Sequence, residues 1–156
     1  MKKTIAILII LGFCLAGGGM VRAAGTIKIY AHVQSTYKME LDSTTIAFNH
    51  LQPGIASEDI QLTTTTTGSG SYQLILTSSN FTSNKGIQPA AALRFKEHNA
   101  SIYRTASSEG QAMMTVAGTA KEAGDSQVFD LQAEFPVADS PVDAYTAVVT
   151  ITCIPQ

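Results

Sequence analysis

Apolar and polar residues alternate along most of the chain beyond residue 24, and helical spacing is scarce. From Thr26 to Gln34, Ile27, Ile29, Ala31 and Val33 share one face, and Lys28, Tyr30, His32 and Gln34 share the other. That is the period of a strand with one buried side. Tyr37, Met39 and Leu41 repeat it against Lys38, Glu40 and Asp42, and Ile46 and Phe48 form a short strand stopped by Pro53-Gly54. Ile60 to Thr67 and Tyr72 to Leu76 flank Gly68-Ser69-Gly70, a spacing that predicts a hairpin. The stretch 78–89 reads as loop. Leu93 to Lys96 and Ser101 to Arg104 read as a strand pair around His98-Asn99-Ala100. Met113 to Val116 and Val128 to Phe135 add two more strands across Gly124-Asp125. The last strand has the clearest alternation, with Tyr145, Ala147, Val149, Ile151 and Cys153 on one face and Thr146, Val148, Thr150 and Thr152 on the other. Short helices fit only at Gln88 to Ala92 and Gly118 to Ala123. The expectation is an all-β fold, an antiparallel immunoglobulin-like β-sandwich of about 7–9 strands.

The first residues follow a different pattern. Lys2 and Lys3 precede an apolar run from Ile5 to Leu15, then Gly17 to Gly19, then Val21-Arg22-Ala23. Positive start, apolar centre and small residues before a cut after Ala23 make a secretory signal peptide. The run is too short to cross a bilayer comfortably. The expectation is therefore a cleaved signal over residues 1–23, one domain over 24–156 and no permanent membrane anchor. The alternatives are an uncleaved N-terminal anchor, or a lipid on Cys14, where the bulky Phe13 argues against the lipid.

Cleavage changes the composition. Lys plus Arg falls from 10 to 7 while all 12 acids remain, so the mature charge is about −5. Cys14 leaves as well, and Cys153 becomes the only thiol, which excludes an intramolecular disulfide. In its apolar strand it reads as a small buried hydrophobe, with intermolecular pairing as the alternative. Hydrophobic content of 45% excludes a disordered chain, and the negative charge excludes a basic nucleic-acid footprint.

Candidates for chemistry are few. His32, His50 and His98 fall on different predicted elements without metal-ligand spacing. Glu58-Asp59 points opposite ways, and Asp139 and Asp143 suit turns around Pro141, with a weak calcium loop as the alternative. The chain lacks a Gly-x-Ser-x-Gly elbow, a P-loop and a dinucleotide glycine pattern. Met113-Met114 reads as core packing. Asn80-Phe81-Thr82 and Asn99-Ala100-Ser101 match the glycosylation triplet, a pattern that chance often produces. The expectation is a protein that is not an enzyme, with no catalytic, cofactor-binding or metal residues.

Three stretches carry a resemblance: Ile27-Lys28-Ile29-Tyr30-Ala31-His32-Val33, then Met39-Glu40-Leu41, then Thr45-Ile46-Ala47-Phe48. Together they resemble the start of secreted bacterial pilin-type sandwiches, such as spore-coat-U-like subunits of archaic chaperone–usher pili and colonisation-factor-type pilins of the alternative class. Asp143 to Thr152 resembles the Gly-x-Tyr-x-x-x-Val-x-Val closing strand of those families. The chain has Tyr37 where the spore-coat-U pattern usually has Cys, and Asp143-Ala144 in place of the Gly before the closing Tyr. The resemblance implies donor-strand assembly, in which a neighbour's N-terminal strand completes a sandwich that lacks one. It also implies self or related subunits as partners, a periplasmic chaperone and an outer-membrane usher, and a location in the periplasm, in a fimbrium at the cell surface or outside the cell. Ile27, Ile29, Ala31 and Val33 are the donor-strand candidates. The same strand equally suits pairing within its own domain. A surface or periplasmic binding module without polymerisation is then the alternative, with Tyr30, Tyr72 or Tyr103 available to stack on sugars.

Overall fold

The computed structural model describes residues 23–33, 37–52, 54–135 and 144–156. Among them are twelve strands: β1 (Ala23–Val33), β2 (Lys38–Leu41), β3 (Thr45–Leu51), β4 (Ile60–Thr67), β5 (Gly70–Ser78), β6 (Phe81–Ser83), β7 (Gly86–Gln88), β8 (Leu93–Glu97), β9 (Arg104–Thr105), β10 (Ala112–Ala120), β11 (Asp125–Ala133) and β12 (Ala144–Pro155). A single 3-10 turn spans Ala90–Ala92. No helix among the described residues is long and apolar enough to cross a membrane.

The strands form two sheets of a β-sandwich. The seven-stranded sheet runs β10-β5-β12-β1-β3, with the β6–β7 hairpin attached to β12, and the five-stranded sheet runs β2-β4-β11-β8-β9. β4, β5 and β12 bury alternate residues, as the polarity pattern requires, whereas β10 and β11 break the period. Ile27, Leu74, Leu76, Val149 and Ile151 come from one sheet; Leu62, Phe95, Phe129 and Leu131 come from the other. Together they form one continuous apolar cluster. Met113 and Met114 are both buried although adjacent, because the β10 ladder shifts register between Ala112 and Met114.

The predicted hairpin at Gly68-Ser69-Gly70 does not form. β4 pairs with β2 and β11, whereas β5 pairs with β10 and β12 in the opposite sheet. The glycines turn a corner between layers, with φ of 143° at Gly68 and 103° at Gly70, a backbone that suits residues without a Cβ. The segment from β10 to β11 turns a parallel corner beside it. The Gly68 N–H donates to the Lys121 carbonyl at 3.3 Å, and a Cβ on Gly124 would meet Thr65 Cγ2 at 2.7 Å.

Two other expectations change. The stretch 78–89, read as loop, contains the β6–β7 hairpin, whose alternate residues Phe81 and Gln88 are buried. Of the two helical possibilities, Gln88 to Ala92 holds the 3-10 turn, but Gly118 to Ala120 belongs to β10. Gly118 is there because Tyr72 lies against it: a Cβ would stand 2.3 Å from the Tyr72 ring.

Candidate functional site: the slot that holds the first strand

β1 lies between the last strand and β3. It pairs in parallel with β12 from Ala24↔Ala144 to Val33↔Cys153, and antiparallel with β3 from Ala23↔Leu51 to Lys28↔Thr45. The first and last strands of the sandwich are thus neighbours, and β1 is an interior strand rather than an edge. Its seating depends on close packing at the start. Gly25 faces an aromatic group in which Phe135 stands edge-on to Phe81 and Tyr145, at centroid distances of 5.2 and 5.1 Å. A Cβ at Gly25 would come within 3.2 Å of Leu51 Cδ1.

The four donor-strand candidates divide. Ile27 and Ile29 are buried, Val33 is half-buried, and Ala31 is exposed. Alternation alone placed Ala31 on the inner face. β3 pairing ends at Thr45, with a final bond from the Ile29 N–H to the Thr44 carbonyl at 2.9 Å, so beyond Ile29 the ladder partner of β1 among the described residues is β12 alone. All five closing-strand residues, Tyr145, Ala147, Val149, Ile151 and Cys153, are buried. Burial pushes the Cys153 thiol above its ordinary pKa, which suits a packed hydrophobe.

The outer edge of β3 has no strand partner among the described residues. A groove of about 580 Å³ runs beside it, bordered by Ala47, Leu51, Ile55, Ala56, Glu58 and Ile60. Ile55 is 57% exposed there.

The outer face of the five-stranded sheet carries a polar network that polarity alternation did not single out. The Asp130 carboxylate is buried and receives Lys96 Nζ at 3.2 Å and His98 Nδ1 at 2.9 Å. The Gln61 amide stands 3.1 Å from the same His98 nitrogen. Burial alone would raise the Asp130 pKa, but the bonds from His98 and Lys96 outweigh it and hold the carboxyl below its usual value. One row along, Tyr103 Oη donates to Asp59 at 2.5 Å, Gln132 Nε2 donates to the same oxygen at 2.6 Å, and Lys96 lies 5.1 Å over the Tyr103 ring. Burial and the Asp59 bond raise the Tyr103 pKa. The hydrogen-bonded partners lie 32 or more residues apart, so the pairing of β4, β11 and β8 is what brings them together.

Of the tyrosines considered for stacking, Tyr30 is 56% exposed and Tyr103 is half-buried. Tyr72 is wholly buried: its hydroxyl donates to Asp125 at 2.7 Å, and burial with that bond pushes its pKa up to about 12. It is therefore not a surface platform. His32 lies on β1, His50 on β3 and His98 in the β8–β9 turn. No three His, Cys, Asp or Glu side chains converge as metal ligands among the described residues. Asp139, Asp143 and residues 1–22 of the expected leader lie outside the described residues, whereas Ala23, the expected last residue of that leader, is buried at the start of β1.

No family model matches this chain, and no curated protein matches its sequence.

Proposed function

We propose that the protein is an exported, non-enzymatic structural subunit of a surface pilus or a related secreted assembly, joined to its neighbours by exchange of β1. The observation that supports this is the position of β1. It is the first strand of the sandwich, yet it fills an interior slot between β12 and β3. Withdrawing it leaves two facing strand edges and the apolar floor that Ile27 and Ile29 cover, which is what β-augmentation needs. The slot does not favour one polarity. A strand of either direction finds one parallel and one antiparallel partner, because β12 and β3 flank β1 in opposite senses. A head-to-tail contact of this kind repeats into a filament. The partners are copies of this chain or related subunits, escorted by a periplasmic chaperone and an outer-membrane usher.

The test is deletion of residues 24–33 from the mature chain. The expected result is a chain that aggregates or melts at low temperature, and that regains a cooperative transition when a synthetic peptide of residues 24–33 is added. A deleted chain that stays folded, soluble and monomeric without the peptide overturns the proposal.

The groove beside β3, with exposed Ile55, favours a second reading as a surface or periplasmic binding module. Under that reading β1 stays permanently in its own slot, and ligand binding survives a disulfide engineered between β1 and β12.

A further inference from the structure

The chain contains two Asn-x-Ser/Thr triplets, and the structure treats them differently. An acceptor asparagine must present its amide on an accessible surface segment, with the hydroxyl two residues on within reach of the same enzyme. Asn80 cannot do so. Its Nδ2 donates to Glu109 at 2.9 Å, and its Oδ1 accepts the Ala90 N–H at 2.9 Å. Phe81 beside it is wholly buried against Phe135, and Thr82 sits in β6, paired with both Ile87 and Thr146. Presenting this triplet means pulling an aromatic ring out of the core.

Asn99 stands in the turn between β8 and β9, closed by the Ala100 N–H donating to the Glu97 carbonyl at 2.8 Å. Asn99 and Ser101 are both exposed, and no hydrogen bond among the described residues engages either side chain. Ile102 next to them is 71% exposed, so this part of the turn presents its side chains to solvent although the His98 N–H holds its start to the Val128 carbonyl at 2.9 Å. Exposed Glu97 precedes Asn99 by two residues and offers a carboxylate that a basic side chain of a transferase can pair with. The corresponding residue before Asn80 is Ser78, which is buried.

We propose that Asn99 is an acceptor for an N-linked glycan delivered from a lipid-diphosphate-linked oligosaccharide. Asn99 Nδ2 attacks the anomeric carbon of the first sugar. The carbon–nitrogen bond forms as the bond to the lipid diphosphate oxygen breaks, and the amide gives up one proton to the transferase. No oxidation or reduction is involved. The turn belongs to the five-stranded sheet, whereas β1 and its slot belong to the other, so a glycan on Asn99 leaves the strand exchange unobstructed. The inference rests on the reading of the chain as exported.

The experiment expresses the full chain in an exporting bacterial host that carries a single-subunit oligosaccharyltransferase and an undecaprenyl-diphosphate-linked oligosaccharide. Intact mass then reports both leader removal and glycan addition. The wild type and Asn80→Gln are expected to lose the leader and gain one glycan mass. Asn99→Gln and Ser101→Ala are expected to gain none, and Glu97→Gln to show reduced occupancy. A processed wild-type chain without glycan overturns the proposal, as does a glycan that persists in Asn99→Gln. If the leader is retained, it is the export reading that fails. The purified full chain is then incubated with the same transferase and donor in detergent, beside a control acceptor peptide, and absence of transfer to Asn99 overturns the proposal there too.

Discussion

The slot around β1 and the outer face of the five-stranded sheet hold the protein together in different ways. The slot uses a backbone ladder and the burial of Ile27 and Ile29. Both are largely generic: beyond the close approach at Gly25, a strand with apolar residues at alternate positions meets the requirement. The outer face uses Asp130, His98, Lys96, Tyr103 and Asp59 at defined distances, a geometry that depends on those particular side chains. The generic region is the one that a second chain can take over. The specific region ties the β8–β9 segment to the sheet and has no reason to exchange.

The largest effect expected from this contrast falls within β1 itself. Ile27→Ala and Ile29→Ala should each lower unfolding free energy by roughly 2–4 kcal/mol, from lost burial and the cavity left behind. Ala31→Ser, four residues beyond Ile27 on the same nominal face, should change it by less than about 0.5 kcal/mol. Urea unfolding of the three variants measures the difference; equal losses at Ile29 and Ala31 would show that β1 is seated differently. On the other sheet, Asp130→Asn removes a buried charge that compensates Lys96, and about 1–3 kcal/mol should be lost at neutral pH. The acid limb checks the cause. The folded Asp130 carboxyl is depressed below its unfolded value, so its stabilisation is present above about pH 4 and disappears as pH falls through the folded pKa. Asp130→Asn should flatten that limb, as melting temperature against pH will show. The smallest effect has the opposite sign. Thr64 faces the core with a hydroxyl that has no hydrogen-bond partner among the described residues. Thr64→Val replaces an unsatisfied polar group with a methyl and should raise stability by about 1 kcal/mol in the same urea assay.

Much of this architecture is visible in the polarity pattern because a strand's faces are a local property. Ile46 and Phe48, Leu74 and Leu76, and every inward residue of β12 are buried where the alternation places them. The pattern fails where a neighbouring strand decides the outcome. Ala31 keeps its inward phase but loses its cover where β3 ends. Phe81 and Gln88 lie in strands too short to establish a period. Asp130 looks like an ordinary outward residue of β11, and it is buried because Lys96, His98 and Gln61 close over it from two other strands.

By itself the amino-acid sequence determined that the chain forms strands, which residues of the long, regularly alternating ones turn inward, and that Cys153 sits among hydrophobes. Those outcomes depend on dihedral preference and on the period of two, which act between near neighbours along the chain. Only the tertiary structure decided which strands meet. Glycines at 68 and 70 serve a hairpin or a corner equally well, and it was the competition among distant edges that sent β4 and β5 to opposite sheets and brought β1 beside β12. Pairing energy comes from backbone groups that every strand shares, so the choice of partner is settled by the joint packing of two layers and not by any one segment.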